Sequence, residues 1–352
     1  MTRRVAKDDA EKDVKVLIFK GMRRYLAQRY LAGAAASLLL LSAATANAAP
    51  LKVEVEDAAD HHLALQGAFK GGLSNSWEWL LGSKRSSKNI VGINAHGLLA
   101  AHRLTGLQSH ERSALKAAKA LVAAYDGGWR NRRPHTQDIE FLAAAGYVID
   151  AAKWFRVLTS RWTASSYVDY VIRRRGGYRS LAGWDIASAV RAAVAVGEVN
   201  YARALLDRVI TRRASWDVAS NGNSRMLSRA SLLWALASYK SRSSLDTRQQ
   251  RFASALLRSV MAAQTSRGAW LSGDGKSLST QTTAYAVLGL AGWPTGQRSA
   301  KAGKRWLVST ASTDRKFVAG GRIWASHYKL DGKPTQRYIS EIQSEVLQAL
   351  AR

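Results

Sequence analysis

Runs of small apolar residues recur along the chain, and most are followed by a segment that alternates apolar and basic positions. The clearest run is Thr282–Trp293, which as a helix would be buried on nearly all sides. Ser279 offers an N-cap, and Gly292 with Pro294 supplies a stop. The next segment, Arg298–Ala311, has the pattern of an amphipathic helix. The sequence therefore predicts a buried inner helix paired with a more polar outer one.

This pair of helices repeats. The predicted inner helices are Ile93–Thr105, Asp138–Asp150, Trp184–Val196, Ser228–Tyr239, Thr282–Trp293 and Ser340–Arg352. The predicted outer helices are His110–Tyr125, Ala151–Ile172, Val199–Arg212, Asp246–Thr265 and Arg298–Ala311. The inner helices begin roughly 45 to 60 residues apart, which is typical of a stacked or closed helical array.

The two ends of the repeat predict how the array closes. The last inner helix has no partner after it, and Glu56–Phe69 and the short Trp77–Leu81 stand unpaired at the start. Closure would hide the apolar ends that an open solenoid must cap. We therefore predict an all-α fold, an (α/α)6 toroid of helical hairpins, as one domain over residues 49–352. No transmembrane span is expected in this domain.

The N-terminal segment has the pattern of an export signal. Arg23 and Arg24 precede the apolar run Leu31–Leu41, and Ala46-Asn47-Ala48 offers a cleavage site. Residues 1–48 are therefore predicted to be a signal peptide, with Met22 as an alternative start. The protein would be exported to the periplasm or the cell exterior, by the Sec route or the twin-arginine route.

Composition limits the possible chemistry. The 352 residues carry a formal net charge of +28 and include no cysteine. Disulfides, thiol nucleophiles and cysteine-based zinc sites are therefore excluded. No metal or cofactor is expected. The charge favours an anionic partner, and predicted export favours a polysaccharide or other cell-surface polymer over nucleic acid. The oligomeric state stays open.

The loops before the inner helices share a second pattern, a glycine or serine close to an aromatic residue. Its instances are Gly127-Gly128-Trp129, Gly176-Gly177-Tyr178, Ser215-Trp216, Gly268-Ala269-Trp270 and Gly321-Arg322-Ile323-Trp324. This pattern resembles the repeat of terpenoid cyclases and protein prenyltransferases, in the α/α-toroid superfamily. The resemblance implies the toroid fold. It does not supply catalytic residues, because the Asp-x-Asp-Asp acid of the cyclases and the zinc-binding cysteine of the prenyltransferases have no match. Related toroids serve as polysaccharide lyases and glycosidases, so the fold alone does not choose the chemistry.

In a toroid these loops meet at one rim and could form a binding groove. Aromatic faces stack on sugar rings, and arginine binds carboxylate or sulfate groups. The candidate substrate-binding residues are Trp129, Tyr178, Trp184, Trp216, Trp270, Arg322 and Trp324. The alternative is that the aromatic side chains pack each repeat against the next.

Candidate catalytic groups are few. Asp138, Glu140 and Asp185 begin two inner helices, where a pair of carboxylates would suit glycoside hydrolysis. An acid in the first turn of a helix is also an ordinary cap or dipole partner. His327 and Tyr328 are the candidates for a lyase, which needs a base.

The leading hypothesis is binding and cleavage of an anionic polysaccharide by lyase or hydrolase chemistry. A non-catalytic binder of cell-surface polymer or of a partner protein, and a terpenoid cyclase-like isoprenoid-binding protein, are the alternatives. The lining of the central cavity distinguishes them. Paired carboxylates favour an enzyme, arginine with aromatic residues alone favours a binder, and an apolar lining favours a lipid.

Overall fold

Helices make up most of the described chain. The computed structural model describes residues 51–129, 134–219, 225–273, 275–318, 320–335 and 337–352, and Val53–Arg352 form one compact unit. The predicted signal peptide, residues 1–48, lies outside the described residues. In chain order the helices are α1 (51–64), α2 (Val91–Thr105), α3 (Gln108–Asp126), α4 (Thr136–Ala144), α5 (Val148–Thr159), α6 (Ala164–Arg175), α7 (Ala182–Ala195), α8 (Val199–Thr211), α9 (Arg213–Trp216), α10 (Arg225–Lys240), α11 (Thr247–Ala262), α12 (Thr280–Ala291), α13 (Gln297–Thr310) and α14 (Ser340–Ala351). Short 3-10 turns precede α2, α7 and α13.

Six of these helices form a closed inner ring. Helices α2, α4, α7, α10, α12 and α14 pack side by side in that order, and α14 packs back against α2. The remaining long helices lie outside them. This arrangement confirms the predicted all-α toroid of helical hairpins, and the inner helices are buried on most sides because small residues let them approach closely.

Two helices differ from their predicted extents. Helix α4 stops at Ala144, not Asp150, because Gly146 turns the chain with φ 87. The predicted outer helix Ala151–Ile172 is two helices, α5 and α6. The side chain of Thr163 caps α6 by accepting a hydrogen bond from the amide of Ser166, which starts a new helix where the sequence suggested a continuous one. The short segment Trp77–Leu81, which stands unpaired before the first inner helix, is irregular chain.

The two rims of the ring differ. At the short-turn rim the inner helices end in tight connections, and Gly106, Gly146 and Gly197 adopt positive φ there. At the opposite, long-loop rim the chain enters the inner helices through longer segments. Two small antiparallel ladders lie in these segments: β1 (Ser277–Ser279) pairs with β4 (His327–Lys329), and β2 (Ser312–Thr313) pairs with β3 (Arg322–Ile323). Ser279 caps α12 as predicted, accepting from the amide of Thr282.

Helix α1 completes the ring on the outside. His62 Nε2 lies 3.3 Å from the carbonyl oxygen of Asn94 on α2, and the same oxygen accepts from Ser344 on α14. His61 bonds Asp314, which follows α13, at 2.8 Å. Helix α1 therefore lies at the seam between the first and last repeats, as closure requires. Among the described residues, no helix has the length and apolarity that crossing a membrane demands.

Candidate functional site

Three of the predicted binding aromatics are core residues. Trp216, Trp270 and Trp324 are at most 2% exposed. Each indole N–H donates to a backbone carbonyl of the outer helix before it: Val209 at 2.9 Å, Val260 at 2.7 Å and Leu307 at 2.6 Å, in that order. Their position corrects the expectation that these rings face a groove, because a fully buried ring cannot stack on a sugar.

The other predicted binding residues lie nearer the surface of the long-loop rim. Tyr178 is 55% exposed, whereas Trp129 is half-buried against Tyr125, with ring centres 4.9 Å apart. Arg322 forms an ion pair with Glu54 of α1 at 2.6 Å, so its guanidinium fastens the seam of the ring. The structure does not bring these groups together into one groove.

Asp138 and Tyr328, both predicted as catalytic, are buried and bonded within the fold. Asp138 accepts hydrogen bonds from the amide of Gly92 at 3.1 Å and from the hydroxyl of Tyr125 at 2.9 Å, and so ties α4 to the start of α2. Tyr328 donates to the carbonyl of Thr310 at 2.8 Å, and burial raises its pKa to about 12. Their geometry is that of structural groups.

His327 and Asp185 are more accessible. His327 is half-buried on β4, with its Nδ1 3.2 Å from the hydroxyl of Ser326. Asp185, on the first turn of α7, pairs with Arg175 at 2.5 Å and with Arg174 at 3.2 Å. Beside it, the half-buried Trp184 ring lies under the Arg175 guanidinium at 5.9 Å.

The main concentration of buried polar groups lies on the axis of the ring and was not predicted as a site. We name it the axial cluster. Its cavity is lined by Ile93, His96, Gln137, Glu140, Arg191, Trp234, Tyr285, Leu288, Glu345 and Gln348. All six inner helices contribute to this lining, so the cluster is a property of the closed ring.

An ion pair spans the axial cluster. Arg191 of α7 donates its Nε–H to both carboxylate oxygens of Glu140 on α4, at 2.9 and 3.1 Å. Its guanidinium also lies 3.8 Å from the centre of the Trp234 ring on α10. The Arg191 side chain is 5% exposed, so the pair is shielded from water and held by both charge and ring contact.

Two further carboxyl groups stand one turn apart on α14. Burial raises the pKa of Glu341 to about 7. Burial, and then the neighbouring Glu341 carboxyl, raise the pKa of Glu345 well above its usual value. The side-chain amide of Gln281 donates to Glu345 at 3.1 Å. At neutral pH this pair therefore retains protons that ordinary surface carboxyls have lost.

One donor of the cluster has no hydrogen-bond partner among the described residues. Arg191 Nη1 is buried and unpaired, and the Arg191 side chain lines the cavity. Burial also lowers the pKa of His96 to about 4, so its imidazole is neutral at ordinary pH. Unsatisfied buried donors and acceptors are costly, and they indicate a place where a ligand or water can bind.

The free space on the axis is narrow. Only about 10 Å³ of the axial cluster is available to the centre of a water molecule. Toward the short-turn rim the space widens to about 150 Å³, bounded by residues that include Arg103 and Arg352. The axial cluster therefore holds about one water molecule in this conformation, and a sugar ring does not fit in it.

Glu140 is the one predicted catalytic residue that lines the axial cavity. Arg191, Glu341 and Glu345 were missed. Two features of the sequence could have predicted them. One is a charged residue inside an otherwise small and apolar inner helix, as at Ala189-Val190-Arg191-Ala192-Ala193. The other is the pair of glutamates four residues apart on α14. Among the described residues, no three His, Asp or Glu side chains are grouped so that they could hold a metal ion.

The fold resembles that of carbohydrate-active enzymes. An unsaturated glucuronyl hydrolase specific for heparin matches with a TM-score of 0.56 and 12% identity over 85% of this chain and 95% of its own. An α-1,6-mannanase from a Salegentibacter species matches at 0.53 and 9% over 86% and 98%. A polysaccharide lyase matches at 0.52 and 11% over 87% and 97%. No protein-family model and no curated protein matches the chain.

These structures share the α/α-toroid fold over nearly their whole length. At 9% to 12% identity the likeness establishes the fold and does not by itself establish an activity. The resemblance to terpenoid cyclases is not confirmed by them.

Proposed function

We propose that the protein cleaves an anionic polysaccharide and that the axial cluster is its chemical centre. The observation that carries this proposal is the set of carboxyl groups on the axis. Glu140 and Glu345 line one cavity, and Glu341 lies one turn from Glu345. A cavity lined by two carboxyl groups favours an enzyme over a simple binder, and its charges do not suit an isoprenoid.

The protonation states fit glycoside hydrolysis. That reaction needs one protonated carboxyl to donate a proton to the leaving oxygen and one carboxylate to act as base or nucleophile. Glu341 stands one helical turn from Glu345, which lines the cavity, and burial raises its pKa to about 7, so it suits the proton donor once the cluster has opened. Glu140, the carboxylate of the buried ion pair, is the second group. The unpaired Nη1 of Arg191 can donate to a carboxylate of the substrate.

The proposal requires the axial cluster to open when the polymer binds, because the present space holds about one water molecule. Trp184 and Tyr285, whose ring centres are 6.3 Å apart, lie at the long-loop end of the cluster. Separation of these two rings would open the cluster toward that rim.

The test is a digestion assay with uronate-containing and sulfated polysaccharides, and with a neutral glucan as control. New reducing ends without ultraviolet-absorbing unsaturated ends would show hydrolysis. Unsaturated ends would show elimination. We expect Glu341→Gln to lower the rate about 100-fold or more, and Glu198→Gln, an exposed acid near the short-turn rim, to leave it unchanged. Cleavage that survives in Glu341→Gln would refute the assignment.

A non-catalytic binder is the second candidate, and the narrow axis is the observation that favours it. If the wild-type protein binds an acidic polysaccharide and cleaves none of the panel, this alternative replaces the enzyme.

We also propose that the protein is exported. The apolar run Leu31–Leu41 and the motif Ala46-Asn47-Ala48 support this. N-terminal sequencing of protein recovered outside the cytoplasm should begin at Ala49. An N-terminus upstream of Leu31 would contradict the proposal.

A further inference from the structure

A basic groove runs along the outside of the ring, between α13 and the turn that follows α11. Arg298 and Arg305 of α13 line it, together with Arg267 of the turn, and it offers about 590 Å³ to water. All three side chains are exposed. Within the part of the chain that the structure describes, none of the three forms an ion pair, so their guanidinium groups are available to an external anion.

The floor of this groove is part of the packed fold. The side-chain amide of Gln264 donates to the carbonyls of Gly268 at 2.8 Å and Ser299 at 2.9 Å, and so fastens the turn to α13. Gly268 has φ 88, and a Cβ there would lie 2.7 Å from the carbonyl oxygen of Ala302. Only glycine allows the turn to lie this close, so the position of Arg267 relative to α13 is fixed by the fold.

The spacing of the charges suits a chain better than a single ion. Arg298 and Arg305 are two helical turns apart, which places them about 10 Å apart along α13. The helix contains no acidic residue, and Lys301 adds another exposed positive charge. An extended polymer with regularly spaced anionic groups suits this spacing, because it can place a separate anionic group at each arginine.

The groove lacks the features of a site for single-stranded nucleic acid. Its aromatic residue, Trp306, is only 6% exposed and offers no open face for stacking bases. Recognition there must depend on charge-assisted hydrogen bonds from arginine, which bind sulfate and carboxylate groups well.

We propose that the Arg267–Arg298–Arg305 groove binds an extended polysaccharide that carries sulfate or carboxylate groups. The groove lies on the outer layer of the ring, apart from the axial cluster. It would hold one part of a long polysaccharide on the protein while another part of the same polysaccharide reaches the axis. The choice of a polysaccharide rests on the proposed function. Binding at the groove does not require cleavage.

The test measures binding of heparin and polygalacturonate oligosaccharides by fluorescence anisotropy at several salt concentrations. We expect Arg298→Gln/Arg305→Gln to weaken binding about 10-fold or more, because each change removes a charge-assisted contact. Arg251→Gln/Arg258→Gln is the matched control. It removes the same charge with the same spacing from exposed positions on α11 that do not line the groove, and it should change binding less than about 2-fold.

Three results would overturn the proposal that the groove binds the polysaccharide. Equal losses in the two double variants would show binding by net charge alone and would overturn the proposal. Free sulfate or glucuronate competing as well as the polymer would also overturn it, as would groove-dependent binding of DNA that is tighter than that of either polysaccharide. In a Glu341→Gln background, the two double variants should change binding by the same factors as they do in the wild-type background. Failure of cleavage is therefore distinguishable from failure of the groove.

Discussion

At the scale of the residue, the buried ion pair dominates the axial cluster. Arg191 has Glu140 on one side and the Trp234 ring on the other, and it is 5% exposed. Loss of one member would leave the other charge in the interior without its counter-ion. Loss of both would remove the charges together, and the desolvation cost of each would disappear.

We therefore predict that Arg191→Leu lowers the free energy of unfolding by about 3–5 kcal/mol, and that adding Glu140→Leu restores much of it. Urea denaturation measures both values. Lys153→Met is the control, since Lys153 pairs with Asp126 at an exposed site and should cost at most about 1 kcal/mol. If the double variant loses as much free energy of unfolding as the two single variants do together, Arg191 and Glu140 are not energetically coupled.

The α14 carboxyls give the protein a characteristic dependence on pH. Since burial raises the folded-state pKa of Glu341 to about 7, the folded state binds more protons than the unfolded state between the ordinary glutamate pKa and pH 7. Their contribution to stability is present at low pH and is lost as pH rises through that window. Burial lowers the pKa of His62 to about 3 and that of His96 to about 4, so these neutral histidines change stability in the opposite direction.

We predict that Glu341→Gln becomes progressively more stable than the wild type as pH rises from 5 to 7, by up to roughly 1.4 kcal/mol per pH unit. The difference between the two proteins isolates Glu341 from the histidines. Thermal unfolding across the pH range measures it, with Glu198→Gln as the flat reference. A difference that shrinks with rising pH would show that Glu341 is stabilised in its charged form.

At the scale of the element, one contact defines the repeat. A buried tryptophan in the loop entering an inner helix donates its indole N–H to a carbonyl of the preceding outer helix. Trp77 makes this bond to His62 at 2.8 Å, as the three core tryptophans do further along the chain. At these four positions, the recurring tryptophan is thus explained by packing between the two layers of the toroid.

We predict that Trp270→Ala lowers the free energy of unfolding by about 3–5 kcal/mol and leaves polysaccharide binding per folded molecule unchanged. Trp270→Phe should cost less, because it keeps most of the buried area but leaves the Val260 carbonyl without its donor. Tyr178→Ala, at an exposed site, should cost little. Thermal unfolding and polymer retention on the same samples test this, and unchanged stability in Trp270→Ala would refute it.

The helices could be predicted from the sequence because burial on nearly all sides leaves a continuous run of small apolar residues, as in α12. The break between α5 and α6 could not, since Ser160–Thr163 contains neither glycine nor proline. The axial cluster was missed for a different reason. Arg191 acquires its partners only when α4 and α10 flank α7, and no pattern within one helix reveals that contact.

At the scale of the whole molecule, the ring is closed at its seam by packing of α14 on α2 and by hydrogen bonds, and not by a continuous chain. Asp314 accepts from His61 and from the backbone amides of Lys316 at 2.8 Å, Phe317 at 3.1 Å and Val318 at 2.8 Å. Burial alone would raise the Asp314 pKa, but these donors hold it below its usual value. One carboxylate thus joins α1 to the segment after α13.

We predict that Asp314→Ala lowers the free energy of unfolding by about 3 kcal/mol, because it removes several bonds to one charged group. Hydrogen exchange should quicken first in α1, while amides of α7 and α10 stay protected until global unfolding. Asp331→Ala, in an exposed loop, is the control. Equal acceleration in all inner helices would mean that the seam does not open separately.

Because α1 runs toward the long-loop rim and α14 runs away from it, Val53 and Arg352 both lie on the short-turn side of the same seam. The repeats could therefore be joined in a different order along the chain while they keep their order around the ring. A linker from Arg352 to Val53 would permit new termini at Gly106 or Gly197, where the turn is tight and a Cβ would meet nothing within 4 Å. The same ring could then form from a circularly permuted chain, with every pair of neighbouring helices preserved.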